Sequence, residues 1–380
     1  MKYIRRSIQD TLENWLFKGK ILTIYGARQV GKTTLVKKIL QQYGDEKDYY
    51  NCDLLNIRQS LQKEDASALK RIFGKSRLVV IDEAQRIENI GLTLKILHDT
   101  CPDLQIIATG SSSFDLSNKI SEALTGRSIL FTLFPLSLSE LSSYHRPVDI
   151  DSLLEFLLRF GSYPDIIDRS ENDAIVLLDN LAGNYLYKDI LEFEQIKKPD
   201  MLLKLLQLLS FQLGNEVSRH ELATKLSINR DTVERYLDLL EKTFVIFRLK
   251  SFSRNLRNEL TKKEKIYFYD LGIRNSLIAR YNPLAFREDM GALWENFCIM
   301  ERSKFIQTRQ GKRNQYFWRT HDKKEIDYIE EYEGRIQGYE FKWTRNKAKK
   351  PDIFLAAYPN SSIRLINKHN YWKLHEDHEQ

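Results

Sequence analysis

Gly26, Ala27, Arg28, Gln29, Val30, Gly31, Lys32 and Thr33 place two glycines, an ammonium and a hydroxyl at the spacing GxxxxGK[ST]. These residue types suit a phosphate. Glycines let backbone N–H groups approach the oxygens, the start of a helix adds positive potential, Lys32 reaches the β- and γ-phosphates, and Thr33 can ligate Mg²⁺. With Thr34 the stretch forms a candidate ATP site. About fifty residues later, Leu78-Val79-Val80-Ile81 ends in Asp82 and Glu83, the second element that such a loop requires. Asp82 is the candidate Mg²⁺ ligand, usually through water, and Glu83 is placed to polarise the attacking water.

Two further groups belong to the same chemistry. The run LQIIAT (104–109) ends in Thr109-Gly110-Ser111, and a hydroxyl from Thr109 or Ser111 could hold the lytic water or sense the γ-phosphate. A serine there equally suits a helix N-cap. Arg127 stands just before ILFTLF (129–134); on an exposed element end it suits a surface ion pair or an arginine finger entering a neighbouring subunit's site.

Near the C-terminus, Glu295 lies in a helical stretch, Asp327 in the strand-like EIDYIEE, and Glu340 and Lys342 in YEFKW. Residues two apart on a strand share a face, so Glu340 and Lys342 project together. The turn Glu333-Gly334 makes a hairpin that brings Asp327 beside them. Two carboxylates could then hold Mg²⁺ with an ammonium assisting the attack. Charged cross-strand pairs on a sheet surface give the same pattern.

The elements that must position these residues follow from hydrophobic patterning. Short apolar runs ILTIY (21–25), LVVID (78–82), LQIIAT and ILFTLF alternate with helical stretches, which predicts an α/β layer with a mainly parallel sheet. A helix TTLVKKILQQ follows the loop, with Gly44 as its C-terminal cap. Over 136–213 strand-like runs give way to helical periodicity, read as a helical lid. Ser218 and Glu221 form a capping box. A turn at Ser227-Ile228-Asn229 and a helix from Arg230 to about Lys242 follow, leaving Arg230 and Arg235 outward as on a recognition helix. Strands FVIFRLKSF and KIYFYD then flank a basic segment containing Arg254, Arg257, Lys262 and Lys263, with Arg248, Lys250 and Lys265 at its ends. The expected division is 1–135, P-loop core; 136–213, lid; 214–282, winged helix; and 283–380, a mixed α/β domain.

Composition bounds the partners. The 380 residues carry 59 Lys+Arg against 52 Asp+Glu, a net +7 that favours polyanions without requiring them. Cys52, Cys101 and Cys298 lie far apart without CxxC spacing, so neither disulfide framework nor zinc site is expected and a reducing cytoplasm fits. The N-terminus turns polar too soon for a signal peptide, and no run of eighteen apolar residues occurs, so no membrane partner is expected.

GARQVGKTTL, VVIDEAQRI, ATGSSS, LTGRSILFTLFPLSLSE, FGSYPD, WENF, EIDYI and YEFKW together resemble the bacterial and archaeal AAA-type (AAA+) ATPases that carry a C-terminal restriction-nuclease-like domain. The resemblance implies that Gly31, Lys32 and Thr33 bind nucleotide and Mg²⁺, that Asp82 and Glu83 are the Walker B pair, and that Arg127 takes the place of the trans-acting arginine of ring-forming relatives. Glu295, Asp327, Glu340 and Lys342 then correspond to a PD-(D/E)xK nuclease-like site, although Ile326 stands where that motif has proline. A lid arginine with sensor-2 context is not found. The reading that follows is an ATP-hydrolysing homo-oligomer acting on duplex or branched DNA. An ATP-driven switch that signals to a protein partner and an ATP-coupled nuclease are the alternatives.

Overall fold

The computed structural model describes residues 3–62, 65–110, 124–145, 150–186, 199–253, 264–309, 313–320, 324–344 and 352–377. The chain forms two compact units, one built mainly from Met1–Leu136 with Lys242–Phe244, the other from Ser137–Lys188, Ile196–Glu241 and Val245–Gln380.

The first unit runs α1 (Gln9–Trp15), β1 (Ile21–Tyr25), α2 (Lys32–Leu40), β2 (Lys47–Asn51), α3 (Leu55–Leu61), α4 (Ala66–Phe73), β3 (Leu78–Asp82), α5 (Ile90–Thr100), β4 (Gln105–Gly110) and β5 (Ser128–Thr132). Its strands pair in the order β2-β3-β4-β1-β5, all parallel. Ile21 and Tyr25, Val79 and Ile81, and Ile106 and Ala108 face one core with Leu69, Phe73, Leu94 and Leu97 of the helices. By the two-residue period, Leu22, Ile24, Val80 and Ile107 point to the other face, and all four are buried. That two-sided burial is why these strands read as unbroken apolar runs. Edge strand β2, Lys47-Asp48-Tyr49-Tyr50-Asn51, is half-buried throughout, so it carries polar residues and no apolar run announces it. Helix α2 stops at Leu40 with Gln41 as C-cap, so Gly44 is not its cap.

Parallel strands linked by crossovers all finish on the same edge of the sheet. The register therefore sets Tyr25 beside Gly110 and Asn51 beside Asp82. The loop after β1, the carboxylates ending β3 and the hydroxyl of Thr109 meet on that edge.

The second unit contains α6 (Leu138–Ser142), α7 (Ile150–Phe160), α8 (Glu171–Asn180), α9 (Pro199–Phe211), β6 (Glu216–Val217), α10 (Arg219–Leu226), α11 (Arg230–Lys242), β7 (Ile246–Ser251), β8 (Glu264–Phe268), α12 (Leu271–Leu277), α13 (Met290–Gln307), β9 (Asn314–Arg319), β10 (Glu325–Tyr332), β11 (Arg335–Phe341), α14 (Asp352–Ala357) and β12 (Ser361–Ile366). Helices α7 and α8 pack against α12. Seven strands form one sheet, β12-β11-β10-β9-β7-β8-β6. The parallel pairing of β7 with β9, Lys250 opposite Tyr316, carries this sheet across residue 283. Ser218 caps α10 by accepting the Glu221 N–H at 3.4 Å, while the Glu221 carboxylate pairs with Lys225. Glu333 and Gly334 both take positive φ, 49° and 76°, the turn expected between β10 and β11.

Candidate functional site

The loop between β1 and α2 has a backbone that only its glycines permit. A Cβ on Gly26 would lie 2.1 Å from the Leu133 carbonyl oxygen, and Gly31 opens α2 with φ of 96°. The buried Arg6 guanidinium donates to the Val30 carbonyl at 2.7 Å and to that of Phe134 at 2.6 Å, fixing the loop from outside. Lys32 is buried, and its ammonium donates to the Gly26 and Ala27 carbonyls at 2.8 and 2.9 Å. Gln29 and Thr34 are exposed, with Arg28 between these and the buried residues.

Asp82 is only 2% exposed, and three hydroxyls converge on it. Thr33 donates to Oδ2 at 2.8 Å, Tyr49 donates to the same oxygen, and Thr109 donates to Oδ1. Burial, followed by the bond to Asp82, raises the Tyr49 pKa above its ordinary value, so this phenol remains a donor. Glu83 turns the chain at φ 54°. Its N–H donates to the Thr109 hydroxyl at 3.2 Å, and its carboxylate accepts from the Gln85 amide. Thr109 therefore joins Asp82 to Glu83.

Mg²⁺ prefers hard oxygen ligands and keeps waters and phosphate oxygens in its shell. Thr33 Oγ1 and Asp82 Oδ2 supply two such oxygens side by side, so the residues fit that ion. Tyr49 escaped the sequence reading because β2 is a polar edge strand, and Arg6 because nothing in the local sequence ties it to the loop.

Arg127 lies at the other edge of the sheet. β5 runs parallel to β1, the Ile21 N–H donates to the Arg127 carbonyl at 2.9 Å, and the loop follows the far end of β1. Its guanidinium donates to both Asp99 oxygens, at 2.8 and 3.2 Å. Ser111 lies outside the described residues.

In the second unit Asp327, Glu340 and Lys342 lie together, and Glu295 is held by other partners. Lys342 Nζ is 3.0 Å from Asp327 Oδ2 and 3.1 Å from Glu340 Oε2. The Phe341 N–H also donates to Asp327 Oδ2, at 2.8 Å. Glu295, from α13, accepts from the Tyr267 hydroxyl at 2.5 Å and from Lys265 at 3.0 Å; Lys265 also pairs with Glu325. Burial, then neighbouring Asp327, pushes the Glu340 carboxyl up to about 7. Burial does the same to Glu295, also to about 7, against the opposing pull of Lys265. Among the described residues, no group of three or more His, Cys, Asp or Glu is arranged to hold a metal ion.

The basic segment is not uniformly available. Arg248 is enclosed by Glu234, Asp238 and Glu241, and Lys265 is buried among carboxylates, so neither belongs to an exposed basic wing. The cause is pairing with acids that sequence proximity does not disclose. Arg230 and Arg235 are exposed on α11, as expected, with Arg230 3.0 Å from His220 Nδ1. Arg254, Arg257, Lys262 and Lys263 lie outside the described residues. Among the described residues no helix is long and apolar enough to cross a membrane.

Residues 18–142 match the AAA domain family, residues 151–283 a domain of unknown function (DUF8612), and residues 290–374 another (DUF4143). An uncharacterized protein of Mycobacterium tuberculosis is 28% identical over 343 residues, covering 90% of this chain and 74% of that protein. An uncharacterized protein of Methanocaldococcus jannaschii is 27% identical over 316 residues, covering 77% and 69%. Among solved structures, Pif1 helicase from Candida albicans is similar at 15% identity with a TM-score of 0.26; the match spans 48% of either chain, about half the helicase's length. Drosophila ORC bound to AT-rich DNA and Cdc6 is similar at 10% identity and a TM-score of 0.27, over 73% of this chain and 91% of that one. The chain is a multidomain α/β protein, and its parallel sheet, phosphate-type loop and paired carboxylates all fall within the stretch that matches the AAA domain family.

Proposed function

We propose that this chain is a Mg²⁺-dependent ATPase converting ATP and water to ADP and phosphate. The observation that carries the reading is the meeting of Lys32, Thr33, Asp82, Glu83 and Thr109 at one sheet edge. Gly26 to Thr34 hold the phosphates, with Lys32 exchanging its two loop carbonyls for phosphate oxygens. Thr33 and Asp82 would hold Mg²⁺, which would neutralise phosphate charge. Glu83 takes the proton from the attacking water, the Gln85 amide keeps its carboxylate in place, and Thr109 holds the backbone of Glu83 against Asp82. Phosphate release that is saturable in ATP and absent in Lys32→Ala tests this.

The reading extends to an oligomer acting on DNA. Arg127 is remote from its own loop, which suits action on a neighbouring subunit's nucleotide, and the net +7 with exposed Arg230 and Arg235 suits a polyanion. The second reading, an ATP-driven switch for a protein partner, draws support from the internal neutralisation of Arg248 and Lys265. ATP turnover that rises with added DNA, and loses that rise in salt, separates the two.

A further inference from the structure

The carboxylates of Glu295, Asp327 and Glu340 are each engaged by donors of the chain itself, and beside those donors they are not arranged to hold a metal ion. We infer that Lys265 and Lys342 act as built-in counter-cations that close this cluster to divalent metal ions, making it an internal ionic latch between β8, α13, β10 and β11. The inference is independent of the ATPase reading.

Lys342 sits between Asp327 and Glu340, within 3.1 Å of both, and Asp327 Oδ2 additionally accepts the Phe341 N–H. Glu295 Oε1 accepts from both Tyr267 and Lys265. Glu325 pairs with Lys265 as well, so the cluster holds carboxylates from Glu295, Glu325, Asp327 and Glu340 against two ammonium groups. The two lysines differ in one respect that decides the outcome. The Lys342 side chain is 35% exposed and has a path to solvent, whereas that of Lys265 is 3% exposed on a strand paired on both sides, with β7 and β6. Lys265 donates to Glu295 at 3.0 Å and also pairs with Glu325, so both acids hold this ammonium within the cluster. A divalent ion entering here would meet a fixed buried cation, a repulsion that low local polarity strengthens. The ExK pair contributes one lysine to such a site; the additional cation arrives from β8, more than sixty residues upstream of Asp327. The consequence is that the second unit does not cleave nucleic acid by a metal-dependent route through this cluster.

The test is Mn²⁺ binding to the full chain without nucleotide, read by loss of the free-ion paramagnetic resonance signal, in four proteins: the parent, Asp327→Asn, Lys265→Met and the Lys265→Met/Asp327→Asn double variant. Circular dichroism establishes that each is folded; Lys265→Gln replaces Lys265→Met if that variant does not fold. The parent and Asp327→Asn should bind the same amount of Mn²⁺, while Lys265→Met gains about one site per chain that the double variant loses. A site in the parent that Asp327→Asn removes would overturn the inference. A folded Lys265→Met protein with no added site would overturn the role given to Lys265.

Discussion

The Tyr49 hydroxyl donates to Asp82 Oδ2, the same carboxylate oxygen that accepts from Thr33 at 2.8 Å. An edge-strand phenol thereby orients the acid proposed to hold Mg²⁺. A hydrogen bond to a charged group contributes about 1.5–3 kcal/mol. Tyr49→Phe should leave ATP affinity nearly unchanged and raise the Mg²⁺ concentration needed for half-maximal turnover several-fold. Turnover measured across a Mg²⁺ titration checks this; an unshifted titration with lowered stability would reduce Tyr49 to a packing residue.

Arg127 and Asp99 make a two-point ion pair on the first unit. Both groups reach solvent, where water screens their attraction, so loss of the pair alone has little effect on folding. Arg127→Ala and Asp99→Asn should therefore show similar small changes in melting temperature. If Arg127 serves a neighbour's site, only Arg127→Ala should lose turnover, by about 10³-fold or more as for other arginine fingers. Mixing it with Lys32→Ala should restore part of the activity at mixed interfaces. Equal turnover in the two single variants would assign Arg127 to the ion pair alone.

How much of this was legible differs from residue to residue. The backbone demands at Gly26 and Gly31 could be read because the pattern GxxxxGK[ST] places glycines at fixed spacing, and Leu78–Asp82 because a strand buried on both faces is apolar throughout. Tyr49 and Arg6 were not legible, since one lies on a polar edge strand and the other reaches the loop only through folding. Charge counting misassigned Arg248 and Lys265: it sees cations in one segment and not the carboxylates of Glu234, Glu295 or Glu325 that meet them in space. The strand period explains why Lys342 lies within 3.1 Å of Asp327 and Glu340, yet spacing does not report a second lysine from another strand.

Glu295 and Glu340 set a pH dependence. Both have folded-state values of about 7 against an ordinary 4.5, so between those pH values the folded chain holds protons that the unfolded chain has lost. Stability of the second unit should fall as pH rises through that window. Around Glu340 the facing groups are Asp327, Lys342 and Glu325, and around Glu295 they are Lys265, Tyr267 and Asp327. Glu340→Gln should flatten the decline, by on the order of 1 kcal/mol between pH 5 and about 7.5. Denaturant midpoints at both pH values, parent against variant, give the answer; parallel lines would remove Glu340 as the cause.

DNA contact, if made by the basic segment, has a salt signature. Each phosphate contact adds about 0.9 to the slope of log K against log salt. Neutralising Arg254, Arg257, Lys262 and Lys263 together should weaken binding of duplex DNA and flatten that slope. Neutralising Arg248 should instead destabilise the fold, because it leaves Glu234, Asp238 and Glu241 without their shared cation. An unchanged slope in the folded quadruple variant would place DNA contact elsewhere, or favour the switch for a protein partner.

Lys32 is proposed to bind phosphate and Glu83 to activate water, and one comparison separates the two roles. Nucleotide binding and phosphate release should be measured together for the parent, Lys32→Ala and Glu83→Gln. Lys32→Ala should bind little ATP, whereas Glu83→Gln should bind ATP as tightly as the parent, retain it unhydrolysed, and turn over at least about 10²-fold more slowly. Hydrolysis by Glu83→Gln at close to the parent rate would contradict the role given to Glu83.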